Sequence, residues 1–599
     1  MAEKALLSSQ LGSPSTAPPR HRNRPLAHIV RAIAVLSLLL LSFQIFHHLS
    51  PRNFRNGSHC MRPETETGTL GEQSLPRCPA QNRVSPVARP DITKKNVNQL
   101  FKSDAFRNLS VERLSGAIQV PTETFENLGL LGEDKRWDVF YNFEKYLRKA
   151  FPLLHEKLHL ELVNEHGLLY TWQGSDEQLK PILLMAHQDT VPVAADTLSE
   201  WKYPPYSGHF DGQFIYGRGS QDCKNNLIAI LSSISSLLDQ DFVPRRTVVL
   251  SFGFDEETSG FQYGAARLSK RITDIWGPDS FAIVVDEGQT LIVDRFGRSF
   301  GIPQISERGY FDLEVTVHIP GGHSSIPPAH TSIGILAQAV TTLENAAEAN
   351  FPLELRTDNP FYTLLQCAAE DLSTEMPDEL RHAIGDPKGT SRIVKLLSHD
   401  PIIKSLFHTT QAVTIFQGGN KANALPAFAN GLINYRVSST ETVAQVREKL
   451  IDTLKPVADK FGLKFTAGPK PGVGESPAEV PEYTLALSWN NAALESSPVT
   501  STDSPTWSAL SGVIKHVFDE PVDGGDVTVA PMQIIGNTDT RYYWDLSPQI
   551  YRFGPGRDRH NDGPGGIHDV NEHVPIEVHL EAILFFHEFI RVFDEADLE

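Results

Sequence analysis

A short apolar run that ends in polar residues constrains the fold most strongly. Residues Ile182 to Ala186 read ILLMA, and His187, Gln188 and Asp189 follow directly. An uninterrupted apolar run of this length is typical of a strand buried on both faces, as in the parallel sheet of an α/β protein. Ligands of such sheets bind beyond the carboxyl ends of the strands. We therefore expect His187 at the ligand-binding edge, with Asp189 able to orient its imidazole.

Two more apolar runs end in acidic residues. Thr247–Phe254 leads into Glu256 and Glu257, and Phe281–Val285 leads into Asp286. Helical patterns lie between these runs, and this alternation of strand and helix is expected of an α/β sheet. The ends of several strands thus present acids towards one edge of the predicted sheet.

A glycine-rich turn, GRGSQD at 217–222, and a C-terminal segment, GGIHD at 565–569, supply further polar candidates. Together with the strand ends they give two imidazoles and three carboxylates, from His187, Asp222, Glu257, Asp286 and His568. Mixed imidazole and carboxylate ligands suit zinc, with cobalt or manganese as substitutes. Two ions would need one bridging carboxylate, and Glu256 would then be free to act as a general base. A single zinc ion with fewer ligands is the alternative.

The sequence pattern changes at Gly309. Residues 310–319 alternate apolar and polar positions like a half-exposed strand, and further strand and helix patterns follow. We interpret residues 308–468 as an α+β domain inserted into a first, catalytic domain made of residues 93–307 and 469–599. No motif marks the part of the inserted segment between about 350 and 410.

The N-terminal region predicts a membrane anchor. Residues 1–28 form a polar tail, residues 29–46 are apolar and just long enough to span a bilayer, and residues 47–92 form a stalk. More Lys and Arg residues precede the span than follow it, which predicts a single-pass type II protein with a luminal body. Sequons at Asn56 and Asn108 would then lie on the luminal side. A cleaved signal peptide is the competing interpretation.

Charge and cysteine content narrow the class of protein. The formal net charge of −19 argues against a nucleic-acid partner, because phosphate binding needs a surplus of Lys and Arg. Four cysteines are too few for a disulfide scaffold. Cys60 and Cys78 could pair if they lie outside the cytosol, whereas Cys223 and Cys367 are expected to remain free.

Six motifs in a fixed order resemble the co-catalytic zinc amidohydrolases of the M20 peptidase family. They read HQDTVPV, GRGSQDCKNN, DEETSG, VDEG, GGHSS and GGIHD. Within that family the chain is most similar to the vacuolar carboxypeptidase S (Gly-X carboxypeptidase) branch, including its membrane anchor. The resemblance runs from about residue 95 to 599 and implies a zinc-peptidase-like α/β catalytic domain with an inserted lid and dimerisation domain.

The resemblance assigns the metal ligands. It implies His187 and Asp286 on one zinc ion, Glu257 and His568 on the other, and Asp222 as the bridge between them.

The resemblance also assigns the catalytic and substrate-binding residues. Asp189 would orient the site and Glu256 would act as the base. His323, in GGHSS, matches a lid histidine that can reach into the partner's active site in a homodimer and polarise the scissile carbonyl. Asn423 and Arg436 resemble the group that holds the substrate carboxylate, a role that suits the planar fork of arginine.

The resulting hypothesis is a dizinc carboxypeptidase that cleaves short Gly-X peptides in the lumen of a vacuole or lysosome-like compartment. Hydrolysis or synthesis of N-acyl amino acids would use the same chemistry and is the nearest alternative. A catalytically inactive luminal binding protein is a further alternative, but it would not need Glu256. A metal-dependent phosphatase would not explain a carboxylate site in the lid.

Overall fold

The computed structural model describes residues 77–87, 100–258, 262–470, 480–489, 493–519, 526–559 and 565–598. The predicted tail, the predicted membrane span and most of the stalk lie outside these ranges, as do Cys60 and Asn56. Within the described ranges, no helix has both the length and the apolar character needed to cross a membrane.

The strands in the described part of the chain are β1 (His159–Val163), β2 (Gly167–Trp172), β3 (Ile182–His187), β4 (His209–Phe210), β5 (Phe214–Tyr216), β6 (Val248–Gly253), β7 (Ile283–Arg295), β8 (Arg298–Gly301), β9 (Gln304–Glu307), β10 (Gly309–His318), β11 (Gly322–His323), β12 (Thr410–Gly418), β13 (Ala424–Leu425), β14 (Phe428–Val437), β15 (Lys464–Pro469), β16 (Thr484–Trp489), β17 (Thr528–Val529), β18 (Met532–Ile534), β19 (Ile550–Arg557) and β20 (His573–Pro575).

The α-helices in the same ranges are α1 (Asp104–Ile118), α2 (Val139–Ala150), α3 (Pro152–Lys157), α4 (Lys224–Leu238), α5 (Ala265–Trp276), α6 (Ser332–Asn350), α7 (Pro360–Glu370), α8 (Asp378–Ile384), α9 (Thr390–Leu397), α10 (Pro401–Ser405), α11 (Val443–Lys460), α12 (Pro505–Phe518) and α13 (Ile576–Glu595). Short 3-10 helices occur at Lys135–Asp138, Ala195–Glu200 and Asp539–Tyr542.

The first domain is built on a ten-stranded sheet. Its order is β1-β2-β6-β3-β7-β19-β9-β18, and β8 joins it between β7 and β17. The central strands β6, β3, β7 and β19 are parallel to one another. Their carboxyl ends therefore meet at one edge, which is where the polar residues follow the apolar runs.

The strand β3 is buried on both faces, as its apolar run predicts. Leu184 and Ala186 belong to the hydrophobic core that includes Leu227 of α4. Leu183 and Met185 belong to a second core on the opposite face of the sheet. Both faces of β3 are thus covered, and its last residue is fixed at the ligand-binding edge.

The inserted domain is built on a separate five-stranded sheet, with the order β12-β14-β10-β16-β15. Buried residues of β10 alternate with partly exposed ones along its whole length, as the sequence pattern predicts. Helices α6 and α11 pack on the buried face and complete the core of the inserted domain. The mixed α/β fold is confirmed.

The sheet pairing and the packing place two segments differently from the limits 308–468. The strand β16 pairs with β10 and β15, so the inserted sheet takes in residues 484–489 as well. Phe361, Leu365 and Phe407, within and just after helices α7–α10, are buried in the same core as α4 of the first domain. The stretch without a motif therefore packs on the first domain.

The disulfide differs from the expected pairing. Cys78 is bonded to Cys367 in α7, across a sequence separation of 289 residues. The expectation that Cys78 pairs with Cys60 and that Cys367 stays free is therefore wrong. Cys223 is free and buried, as expected.

Candidate metal centre

His187 ends β3 with its imidazole set in one orientation. Its side chain is 1% exposed, and its Nδ1 lies 3.0 Å from the carbonyl oxygen of Asp189. A carbonyl oxygen can only accept, so Nδ1 carries the proton and donates it. The other ring nitrogen, Nε2, is then free to bind a metal ion, and it faces Asp222 Oδ1 at 3.0 Å.

Asp222 lies between two histidines. Its Oδ1 faces His187, and its Oδ2 is 3.2 Å from Nε2 of His568, which is also 3.2 Å from Glu257 Oε1. Desolvation would raise the pKa of Asp222, but hydrogen bonds to the two histidines hold it below its ordinary value. One carboxylate thus presents one oxygen to each half of the cluster, the arrangement that a bridging ligand needs.

Glu287, and not Asp286, contacts His187. Glu287 Oε1 lies 3.2 Å from His187 Nε2. Asp286 Oδ1 accepts a hydrogen bond from the backbone N–H of Glu287 at 2.8 Å, and its buried Oδ2 has no hydrogen-bond partner among the described residues. Successive side chains of a strand point to opposite faces, so only one of these neighbours can face His187. The contacts at His187 therefore differ from those expected for Asp286.

Within the part of the chain that the structure describes, the ligand atoms form three overlapping groups, and the atoms of each group lie within 4.8 Å of one another. These groups are His187, Asp222, Cys223 and Glu287; His187, Glu256 and Glu257; and Asp222, Glu257 and His568. We use the name ligand cluster for His187, Asp222, Glu257, Glu287 and His568.

The chemistry of the ligand cluster fits divalent cations. Hydrogen bonds to Asp222 and Glu257 raise the pKa of His568 to about 10. Desolvation, together with the charge of Asp222, raises the pKa of Glu257 to about 7. Both shifts mark a site that favours positive charge, and a divalent cation can take the place of these protons.

Asp189 fixes the loop that carries the candidate base. Its two carboxylate oxygens accept the backbone N–H groups of Glu256 at 3.3 Å and Glu257 at 3.0 Å. The hydroxyl of Thr124 also donates to Asp189 Oδ2 at 3.0 Å. Desolvation raises the pKa of Glu256 well above its ordinary value, which makes its carboxylate a better proton acceptor. The structure thus brings both predicted catalytic residues to the ligand cluster.

A buried carboxylate that no sequence motif marks holds the turn carrying Asp222. Glu572 is fully buried, and its Oε2 accepts from Arg218 Nη1 at 2.7 Å and from the backbone N–H of Gly219 at 3.0 Å. Its Oε1 accepts the backbone N–H groups of Gln221 at 2.9 Å and Asp222 at 3.2 Å. Glu572 follows the GGIHD motif by three residues, but no sequence signal links it to a turn 350 positions away.

The predicted substrate-binding residues fall into two places. The pairing of β11 with β13 sets His323 opposite Ala424, next to Asn423, and both side chains are exposed. Within the described ranges, no hydrogen bond or ion pair joins His323 or Asn423 to the ligand cluster. Arg436, at the end of β14, instead contacts the first domain, where its Nη1 donates to Asn537 Oδ1 at 2.8 Å.

Sequence comparison gives the family of this site. The profile described as "Peptidase family M20/M25/M40" matches residues 183–592, more than half of the chain. The chain belongs to this family. Carboxypeptidase S of Saccharomyces cerevisiae is 41% identical to this M20 peptidase over 530 residues, covering 87% of this chain and 89% of that protein. The human N-fatty-acyl-amino acid synthase/hydrolase PM20D1 is 33% identical over 488 residues, covering 80% of this chain and 87% of that protein.

Solved structures show the same fold at low sequence identity. The M20 family metallo-carboxypeptidase Sso-CP2 from Sulfolobus solfataricus matches with a TM-score of 0.55 and 19% identity, covering 81% of this chain and 99% of that chain. The di-peptidase Dug1p from Saccharomyces cerevisiae matches with a TM-score of 0.57 and 15% identity, covering 84% and 99%. The predicted family and the predicted enzyme class, a metallocarboxypeptidase hydrolase, are confirmed.

Proposed function

We propose that this M20 peptidase is a dizinc carboxypeptidase that removes the C-terminal residue of short peptides of the Gly-X type. The observation that carries the proposal is the position of Asp222, whose two oxygens face His187 at 3.0 Å and His568 at 3.2 Å. A binding protein has no need for a bridging carboxylate beside a buried general base. The arrangement suits water activation at a pair of metal ions.

The ligand cluster would divide between the two ions. His187 and Glu287 would hold one ion, Glu257 and His568 the other, and Asp222 would bridge them. Three carboxylates and two neutral imidazoles match the ligand preference of zinc, and cobalt or manganese would accept the same set. When bound, zinc would polarise the scissile carbonyl and lower the pKa of the attacking water.

The protein's own residues would move the proton. Glu256 takes a proton from the attacking water and returns it to the amine nitrogen of the leaving amino acid. Asp189 keeps Glu256 in place through the backbone N–H groups of the loop, and its carbonyl fixes the tautomer of His187. Arg436 would bind the free carboxylate of the substrate as a planar, bidentate partner.

The exposed positions of His323 and Asn423 favour a homodimer in which these side chains serve the site of the partner. His323 would then donate a hydrogen bond to the scissile carbonyl oxygen as negative charge develops on it. Mixing a His323→Ala chain with a Glu256→Gln chain tests this arrangement. Recovery of activity on mixing is expected, whereas two chains that stay inactive together would contradict a shared site.

Cleavage of N-acyl amino acids is the second candidate function. It is supported by the 33% identity to the human N-fatty-acyl-amino acid synthase/hydrolase. Such substrates also carry a free carboxylate beside the scissile amide, so Arg436 and Glu256 would keep the same roles. The two functions differ in what occupies the space on the acyl side of the bond.

Hydrolysis of a matched substrate pair distinguishes the two. The zinc-loaded full chain is assayed with an N-blocked glycyl-leucine and with a long-chain N-acyl-leucine, and the chelator-treated chain is the control. Chelator-sensitive release of leucine mainly from the dipeptide is the expected result. Release mainly from the fatty-acyl substrate would move the assignment to an acyl-amino-acid hydrolase. No release from either substrate by a chain with two bound zinc ions would refute both.

A luminal location, vacuolar or lysosome-like, completes the proposal. The disulfide between Cys78 and Cys367 supports it, because such bonds persist in oxidising compartments and are rare in the cytosol. Of the two predicted glycosylation sites, Asn108 lies in the described part of the chain, where it is exposed on α1. Protease treatment of intact vesicles should leave the body of the protein undigested until detergent is added. Digestion without detergent would contradict the predicted type II anchor at 29–46.

A further inference from the structure

The chain crosses from the first domain into the inserted domain at a buried arginine. Arg308 lies between β9 and β10 and is 2% exposed. Its Nη1 donates to the carbonyl oxygen of Ser405 at 2.7 Å, and its Nη2 donates to the carbonyl oxygens of His408 and Arg436. The side chain of Arg308 thus links the backbone of Arg436 on β14 to the segment at Ser405 and His408 that leads into β12.

The amide side chain of Asn537 contacts the guanidinium of Arg436. Asn537 lies in the loop between β18 and the 3-10 helix Asp539–Tyr542 of the first domain. Its Oδ1 accepts from Arg436 Nη1 at 2.8 Å, and its Nδ2 donates to the carbonyl oxygen of Arg308 at 2.5 Å. The second contact fixes which end of the amide faces Arg436, so Asn537 presents an acceptor to the guanidinium.

The guanidinium of Arg436 contacts an aromatic ring and a neutral amide. Its guanidinium carbon lies 5.0 Å from the centre of the Tyr310 ring, and Asn537 is neutral. Among the described residues, no carboxylate forms an ion pair with Arg436. An arginine held by an aromatic face and an amide is fixed in direction but still able to bind an anion, because most of its N–H groups are not used.

The loop that carries Asn537 continues to the catalytic base. Thr538 donates to Glu307 at the end of β9, at 2.8 Å. Further along the loop, the carboxylate of Asp539 lies against Gly253, the last residue of β6, which leads to Glu256. The loop therefore connects the guanidinium of Arg436 with the surroundings of the base in the same chain.

We propose that Asn537 is a positioning residue that aims Arg436 at the C-terminal carboxylate of the substrate and so sets the requirement for that carboxylate. The inference rests on the proposed function, because Arg436 binds the carboxylate only if the substrate carries one. The role proposed for Asn537 requires that its side chain is uncharged. An acid at this position would pair with Arg436 and compete with the substrate for the same charge.

Two substitutions of Asn537 separate its effect on the orientation of Arg436 from the effect of an added negative charge. Asn537→Asp keeps an acceptor oxygen for Arg436 but adds a negative charge, and Asn537→Ala removes both hydrogen bonds. The matched control is Asn430→Ala on β14, the strand that also carries Arg436. It removes a 3.0 Å hydrogen bond from the Asn430 amide to Glu314 on β10. All chains are assayed as zinc-loaded full-length enzymes with N-blocked glycyl-leucine.

The expected result is a change in KM with little change in kcat. Asn537→Ala should raise KM about tenfold and Asn537→Asp at least about thirtyfold, each with kcat within threefold of the unchanged chain, because carboxylate binding is equal in the ground and transition states. Asn430→Ala should keep the KM of the unchanged chain. An unaltered KM in Asn537→Asp, or an equal fall in kcat in both variants, would overturn the proposal.

Calorimetry with free leucine keeps the test independent of turnover. The unchanged chain should bind leucine better than leucinamide, and Asn537→Asp should lose that preference. If the unchanged chain hydrolyses neither proposed substrate but shows this pattern, the proposed function fails and the role of Asn537 stands. Equal leucine affinity in the unchanged chain and Asn537→Asp would refute the role of Asn537 whatever the activity.

Discussion

Glu256 carries the proton transfer in the proposed mechanism, so its replacement tests the chemistry directly. The change Glu256→Gln keeps the size of the side chain but removes its ability to take a proton. We expect kcat to fall by about 10²- to 10⁴-fold, the usual contribution of a general acid–base residue. Zinc content should stay at two ions per chain, measured by atomic absorption on the purified protein. Unchanged turnover at full zinc content would contradict the role of Glu256.

Glu287 and Asp286 give a second test of the site, because Glu287 contacts His187 and its neighbour Asp286 does not. Glu287→Gln should weaken zinc binding at least about tenfold, whereas Asp286→Asn should bind zinc more nearly like the unchanged chain. Competition with a fluorescent zinc chelator measures both affinities. Weaker zinc binding by Asp286→Asn than by Glu287→Gln would identify Asp286 as the metal ligand instead.

The same pair of residues shows what a sequence motif can and cannot predict about the site. The motif VDEG predicts acids at the end of β7, and they are there. Which of two adjacent acids faces the cluster depends on the register of the strand, and a shift of one residue exchanges the two faces. Register depends on the packing of the whole sheet, which the motif does not contain.

At the scale of elements, Glu572 holds the turn that brings Asp222 to the cluster. Glu572→Gln would turn an amide NH₂ towards backbone N–H groups or towards Arg218, leaving buried donors without an acceptor. We expect a loss of about 1–3 kcal/mol in the free energy of unfolding and a 10- to 100-fold loss in zinc affinity. Denaturant titration and chelator competition measure the two effects.

Glu577→Gln is the matched control for this prediction. Glu577 forms an ion pair with Arg107 at 3.0 Å, in which both side chains are partly exposed. Exposed ion pairs contribute about 0–1 kcal/mol, so this variant should stay close to the unchanged chain in both measurements. Equal effects of Glu572→Gln and Glu577→Gln would mean that the turn is held by other contacts.

Some helices and strands could be predicted from the sequence, but the packing of others could not. The strands β3 and β6 follow from apolar runs, since only a strand covered on both faces needs such a run. The packing of α7–α10 on the first domain could not be predicted, because an amphipathic helix shows which face is apolar but not which core receives it. The bond from Cys78 to Cys367 joins segments that are neighbours only in the folded chain.

Across the folded chain as a whole, the buried histidine His579 makes one contribution to the dependence of stability on pH. His579 lies in α13 and is fully buried. Its Nδ1 is 2.6 Å from Asn225 Oδ1, and its Nε2 has no hydrogen-bond partner among the described residues. Desolvation, and to a smaller extent the charge of Arg113, lowers the pKa of His579 from 6.5 to about 3.

This shift predicts a loss of stability in acid. Between pH 6.5 and 3 the unfolded chain binds a proton at His579 that the folded chain does not. In that window the free energy of unfolding therefore falls by about 1.4 kcal/mol for each unit by which the pH is lowered. At pH 5 the loss from this residue is about 2 kcal/mol. His579→Gln, which cannot be protonated, should flatten the curve of unfolding free energy between pH 7.5 and 5 in denaturant titrations. An equally steep fall in that variant would assign the acid sensitivity to other groups.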